Sequence, residues 1–544
     1  MMSLCPPRDR RAPHGPAQHR RTSHRLVATL AGATAGVLVA GLAAMPAHAE
    51  SGTGEPLGTV ARKAGDARFE PGPCPRTADP IPALETARCG SLTVPEKRSR
   101  HKGDKGRRTI TLAVAIIPAV TRTPAPDPIV WFAGGPGDDA VSEIPMANAG
   151  GLNRDRDVVF MSQRGTYSAD PELTCPNVDE FAADALDLVF GARSTGRLHV
   201  EATRECRDRL VDRGVDLSAY NGTESAADYD GLRRALGIRQ WNVFGISYGT
   251  DLALQYMRLH PKGIRSVGID GVLPPSLAGG AVTWKAAREG FDGIFKACAE
   301  QTACNTRYPN LKGTFERLVG ELEARPVTTT VTVPGQPAPV KVVLDGGVLV
   351  NWLTFASHLA EGVPRSIDEL ARGNPQRIAE QWAGGKLSPQ AVGRLSHGLA
   401  FGVFCSEWTP YESEEDVLRA GRRLFPSFPR SVLANAPLLT WLHADCRAWD
   451  VPAAPRSIRS VTRSDIPTLV LTGGFDAQTA PSSGPYAART LSRSTAVRIP
   501  YVAHVVFAES RCAQTITTSF FATPTAPDTA CLAGLQPPRF DIAP

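Results

Sequence analysis

The sequence predicts an α/β protein: a mostly parallel sheet covered by helices, interrupted by a mainly helical insertion. Three observations predict it. Short apolar runs alternate with stretches of helical spacing, the pattern of strands buried on both faces of a parallel sheet. That alternation stops between Pro274 and about Pro455 and resumes at residues 467–472. The chain has 544 residues, 42% apolar and 21% charged, enough for one large core and a second unit.

The elements follow in order. Arg-rich residues 8–25 precede an apolar run from Leu26 to Ala44, then Met45-Pro46-Ala47-His48-Ala49, a small-x-small site of the kind a signal peptidase reads. Residues 1–49 are therefore expected to be a signal peptide, and the mature chain to be secreted without stable membrane association. Residues 50–73 are Gly/Pro/charge-rich and expected to be poorly ordered. Strands are expected over Thr109–Pro118, Pro128–Ala133, Asp157–Ser162, Trp241–Ile246, Ile264–Asp270 and Pro467–Thr472. Ser225–Leu236 and Asp251–Leu259 carry apolar residues at helical spacing. Within the insertion, Thr283–Cys298, Leu311–Ala324, Val348–Leu359 and Glu414–Leu424 read as helices, with a hairpin turning at Pro334–Gln336. The expected organisation is thus a core of 50–274 and 456–544 and a cap domain of 275–455.

Composition excludes several classes. The 50 Gly and 46 Pro fall well short of a low-complexity chain. The net charge of +6 resides largely in the leader: without residues 1–49 the chain keeps 54 Lys+Arg against 53 Asp+Glu. A nucleic-acid binder should keep a basic face, so no nucleic acid is expected as partner. Eleven cysteines less Cys5 leave ten, grouped as 74/89, 175/206, 298/304, 405/446 and 512/531. An even number in an exported chain implies disulfides, although spacing alone does not fix which cysteines pair. No zinc-type cysteine spacing occurs, so neither metal nor cofactor is expected.

The chemistry is carried by few residues. Gly245-Ile246-Ser247-Tyr248-Gly249 has the form Gly-x-Ser-x-Gly at a strand-to-helix junction, the turn that exposes the nucleophile of α/β-hydrolases. A neutral serine needs a base and the base an orienting acid, in the chain order Ser, Asp/Glu, His. His504 is the histidine that follows the last well-defined strand before a plausible acid. Asp476, in Thr472-Gly473-Gly474-Phe475-Asp476, is the acid best placed, and Asp270 is its competitor. His260, in a His-Pro pair, reads as a helix C-cap. Acyl chemistry also needs two N–H groups for the oxyanion. Tyr248, next to the nucleophile, and Gly135, in the turn Gly134-Gly135-Pro136-Gly137, are expected to supply them.

These motifs together resemble a family. Gly-Gly-Pro-Gly, Gln163-Arg164-Gly165-Thr166, Gly-Ile-Ser-Tyr-Gly-Thr, Gly-Gly-Phe-Asp-x-x-Thr and a late histidine look like the secreted tripeptidyl aminopeptidases, among the prolyl-aminopeptidase-like α/β-hydrolases. The resemblance implies a serine exopeptidase that releases short peptides from a free amino terminus through an acyl-enzyme. It also implies Ser247, Asp476 and His504 as the triad, and a peptide with a free N-terminus as the partner. Ala133, Ser162 and Tyr167 depart from the family pattern, as does Thr479-Ala480-Pro481. A secreted carboxylesterase would use the same triad and is the alternative; a silent binding protein on this scaffold would usually lose a triad residue. Because a buried ammonium needs a carboxylate, Glu407, in Cys405-Ser406-Glu407-Trp408, is expected to bind the substrate's amino terminus, against the plain reading of a solvated surface acid.

Overall fold

The computed structural model describes residues 56–98, 108–387, 395–435 and 437–543. The expected leader lies outside them. One mixed sheet organises the chain. Its strands are β1 (Arg62–Ala64), β2 (Ala67–Pro71), β3 (Arg88–Pro95), β4 (Thr109–Ile117), β5 (Ile129–Phe132), β6 (Val158–Met161), β7 (Ala169–Asp170), β8 (Trp241–Ile246) and β9 (Ile264–Asp270). A small hairpin follows, β10 (Val327–Val331) with β11 (Val340–Leu344), and then β12 (Thr468–Gly473) and β13 (Ser494–Ile499) complete the large sheet. The strand order is β1-β2-β3-β4-β6-β5-β8-β9-β12-β13, with β7 on β4.

From β6 to β13 every neighbour is parallel. This is the part the apolar runs foretold: Ile129–Phe132, Val158–Met161 and Trp241–Ile246 are buried at every position, as strands covered on both faces must be. The β1–β4 end is antiparallel and joined without crossover helices. Here the sequence expectation needs correction. Residues 62–71 are not poorly ordered; they form β1 and β2, with Ala67 and Phe69 fully buried. Two apolar side chains among charged neighbours give little periodic signal; the ladder to β3 and the Gly222–Ala235 helix, whose Gly231 lies against Ala67, supply their partners.

Between β9 and β12 the chain is helical apart from the β10–β11 hairpin. Leu311–Ala324 and Glu414–Leu424 match the expected helices residue for residue. The capping box of Ser413 and Asp416 explains the start of the second. This region has its own apolar core, built on Trp284, Phe291, Phe315 and Phe425, and Phe475, Ala477 and Ala503 join it. Not all of the insertion belongs there. Leu399, Phe401, Val403 and Trp408 pack into the core beneath the sheet, with Tyr220, Tyr248 and Trp449. Five disulfides pair each cysteine with its group neighbour: 74–89, 175–206, 298–304, 405–446 and 512–531.

Candidate active site

The site lies at the carboxyl ends of β5, β8, β9 and β12, where open α/β sheets place their chemistry. Ser247 follows β8 and precedes the Tyr248–Leu259 helix, with φ 52° and ψ −124°, a backbone that side-chain-bearing residues rarely adopt. The flanking glycines are required by close approach. A Cβ on Gly245 would lie 2.4 Å from the Gly249 carbonyl oxygen, and one on Gly249 would lie 2.1 Å from that of Phe132. The turn is pinned on both sides: Ser247 N–H donates to the Asp270 carbonyl at 2.9 Å, and Thr250 Oγ1 donates to the Ser247 carbonyl at 2.7 Å.

The Gly134–Gly137 turn leaves β5 beside it. A Cβ on Gly134 would be 3.3 Å from Ser247 Cβ, so turn and nucleophile are in contact range. Gly135 has φ +99° and is exposed. Tyr248 opens its helix, so its N–H belongs to the first turn, whose amides have no partner within the helix. The turn that carries Gly135 and the first-turn amide of Tyr248 thus both adjoin Ser247.

Asp476 and His504 meet as the sequence order anticipates. The Asp476 Oδ2–His504 Nδ1 distance is 2.9 Å, with Asp476 1% and His504 7% exposed. Asp476 Oδ1 accepts from the N–H groups of Gln478 and Thr479, and Thr479 Oγ1 donates to Oδ2 at 2.7 Å while lying 3.3 Å from His504 Nδ1. Thr479 is a site residue that spacing alone did not reveal, although the Gly-Gly-Phe-Asp-x-x-Thr motif contained it. Gly473 and Gly474 let the two loops touch: a Cβ there would lie 2.0 Å and 1.8 Å from the carbonyl oxygens of Ala503 and Pro500.

Electrostatics match this arrangement. Burial works against the charge on Asp476, but the adjacent His504 ring, Thr479 and the backbone donors outweigh it and hold the carboxyl below its ordinary value. Burial likewise disfavours the His504 cation. The Asp476 carboxylate, its hydrogen bond and the Asp270 carboxylate overcome that, so the imidazole is raised above its ordinary value.

Asp270, the competing acid, has another task. Its carboxylate accepts from the N–H groups of Val506 at 3.1 Å and Phe507 at 2.8 Å, just past His504. Its carbonyl holds the Ser247 N–H, and a Cβ on Gly271 would lie 2.8 Å from His504 Cε1. One residue thus ties the serine turn to the histidine loop. Burial pushes its carboxyl up to about 7.

Glu407 departs from expectation. It is 2% exposed, on a π-helical turn, Phe404–Trp408. Oε1 accepts from Gly222 N–H at 2.6 Å and Oε2 from Gln255 Nε2 at 3.0 Å; the same amide nitrogen reaches Asp251 Oδ1 at 2.6 Å. The carboxylate braces the start of the Gly222–Ala235 helix against the Tyr248–Leu259 helix. It is not a solvated acid: each carboxylate oxygen already accepts from a protein donor. Burial raises both carboxyls, and for Asp251 the neighbouring Glu407 adds to the effect. Arg164 of the Gln-Arg-Gly motif is also internal: fully buried, it pairs with Asp228 at 2.8 Å and donates to the Ala219 carbonyl. Ser162 donates to the buried Asp139 at 2.5 Å. His260 caps its helix, donating its N–H to the Tyr256 carbonyl.

Comparison with known proteins bears on the fold and the enzyme class. Residues 127–317 match the family described as alpha/beta hydrolase fold, and residues 433–531 match the one described as TAP-like protein. The chain is 24% identical to the serine protease Hip1 of Mycobacterium tuberculosis over 486 residues, 84% of this chain and 89% of that one. It is 30% identical over 196 residues to the tripeptidyl aminopeptidase of Streptomyces coelicolor, 35% of each. A probable proline iminopeptidase from the same organism matches at 30% over 153 residues, 26% of this chain and 47% of that one. A mixed sheet, parallel from β6 to β13, with a strained serine at the turn after β8 and the match over residues 127–317 give this chain the α/β-hydrolase fold of an enzyme, with a C-terminal region similar to the TAP-like family and an overall similarity to a serine protease and a tripeptidyl aminopeptidase.

Proposed function

We propose that the protein is an exported serine aminopeptidase that releases short peptides, tripeptides among them, from a free amino terminus. The observation that carries the chemistry is the Asp476–His504 pair, held by Asp270 and Gly271 against the Ser247 turn. Asp476 engages Nδ1, which leaves Nε2 to take the proton of Ser247 as it attacks the scissile carbonyl. The N–H groups of Gly135 and Tyr248 hold the oxyanion. His504 then returns its proton to the leaving amine, and water releases the acyl group from Ser247 by the same steps in reverse. The names of the relatives support the aminopeptidase reading, and the helical insertion serves as a cap that admits chain ends in preference to folded chains. Five disulfides support export, as does the expected leader; no described helix is long and apolar enough to cross a membrane.

Chromogenic aminoacyl, dipeptidyl and tripeptidyl anilides, their N-acetylated forms and short acyl esters test the reading together. Free tripeptidyl anilides should be hydrolysed best and acetylated ones poorly. Ser247→Ala should fold and lose nearly all turnover, because triad members act as a unit. A preference for acyl esters with no discrimination against acetylated peptides would make the protein a carboxylesterase instead.

A further inference from the structure

A concave surface is lined by helical segments and by residues with no part in the triad. The groove measures about 980 Å³ and runs between the Arg193–Asp212 helix and the segments at 430–435 and 441–448. Five arginines line it: Arg193, Arg197 and Arg204 from the long helix, with Arg430 and Arg447 facing them. Glu201 is the one acidic lining residue. Arg447 pairs with Glu414 at 2.6 Å, both side chains about two-thirds exposed. The other four arginines make no ion pair among the described residues.

This arrangement works against folding. Arg193 occupies the first turn of its helix, where the macrodipole disfavours a cation, and the N-cap is Ala192, which offers no side-chain cap. Five like charges converge on one groove in a chain whose expected mature form is almost neutral. Local choices that oppose stability mark sites kept for a ligand. Apolar groups share the lining with the arginines: Val200, Ala444 and the Trp441 indole, beside the uncharged polar Ser431 and Asn435. A bare inorganic polyanion would gain nothing from the apolar groups, whereas a polypeptide would. Arg193 to Arg204 spans about 16 Å of helix axis, the length of roughly five residues of extended chain.

We propose that this groove binds an extended acidic polypeptide segment, with carboxylates on the arginines and the backbone and stems over Trp441. The binding is separate from turnover, so it is measured with the Ser247→Ala variant. The probe is a fluorescein-labelled hexaglutamate peptide, read by anisotropy in 50 mM NaCl, with hexalysine and inorganic polyphosphate as comparison ligands. Hexaglutamate should bind and hexalysine should not. Arg197→Glu with Arg204→Glu should weaken binding on the order of tenfold or more, and 0.5 M NaCl should do the same. Arg193→Glu should also weaken binding while leaving the melting temperature unchanged or higher, since it removes a cation from a helix start. That combination separates a ligand site from a structural one. Unchanged affinity in the double variant, no hexaglutamate binding at millimolar peptide, or binding of polyphosphate without hexaglutamate would each overturn the proposal.

Discussion

Asp270→Asn is the most informative single change at this site, because it separates the two acids that the sequence offered. In the wild type both carboxylate oxygens of Asp270 are occupied, by the N–H groups of Val506 and Phe507, and the residue is fully buried. An asparagine keeps one acceptor and turns an NH₂ donor toward the other amide. One buried N–H is then unmatched, a cost of about 1–3 kcal/mol. The serine turn is spared, since Ser247 bonds the backbone carbonyl of residue 270, which the substitution retains. The loosening therefore falls on the histidine loop. If all of it is felt in the transition state, kcat/KM drops by about 5- to 150-fold. The change also removes a negative charge that helps raise His504, so the acidic limb of the rate profile should move to lower pH. Because burial holds the Asp270 carboxyl near 7, the gap between wild type and variant should be widest above that pH. The assay is kcat/KM on a tripeptidyl anilide from pH 5 to 9, with melting temperature as a control. Wild-type activity with an unmoved limb would refute the tether, and a loss as deep as that of Ser247→Ala would make Asp270 the triad acid.

Three further outcomes follow from the same geometry. His504 must be neutral to accept the serine proton and its ring is raised, so wild-type activity should climb with pH through an apparent value above the ordinary ~6.5, as pH–rate profiles read it. Thr479→Val removes the hydroxyl that donates to Asp476 Oδ2 while the backbone donors to Oδ1 remain; kcat should fall about 3- to 10-fold with little change in KM, as kinetics on the same anilide would show. Asp251 and Glu407 are both raised in the folded state, so the stability they contribute is present below the ordinary carboxyl range and is lost as pH rises through their elevated values. Glu407→Gln should flatten the decline in melting temperature between pH 5 and 8, and KM for free peptides should stay within about twofold of wild type; a large, peptide-specific rise in KM would restore Glu407 as the amino-terminal anchor.

Much of this protein was determined locally. Buried parallel strands are mainly apolar, so Ile129–Phe132, Val158–Met161 and, apart from Asn242, Trp241–Ile246 announced themselves as composition. The nucleophile turn was legible because its glycines answer a backbone collision, and Leu311–Ala324 and Glu414–Leu424 because amphipathic spacing is a property of one helix. Even the five disulfides followed sequence proximity. What the sequence left open are properties of pairs of segments. Phe69 and Ala67 became strand residues only against β3. Asp270 ends one buried strand and Asp476 lies just past another; which one faces Nδ1 of His504 depends on where residues 504–507 come to rest, more than two hundred residues beyond Asp270. Glu407 lies beside a disulfide in either reading, and only the arrival of Gly222 and Gln255, 185 and 152 residues away, turns an exposed acid into a buried brace. Local spacing fixes what a segment becomes. Donors and acceptors from distant segments decide what a charged side chain in it does, because a buried carboxylate takes whatever partners the fold brings within about 3 Å.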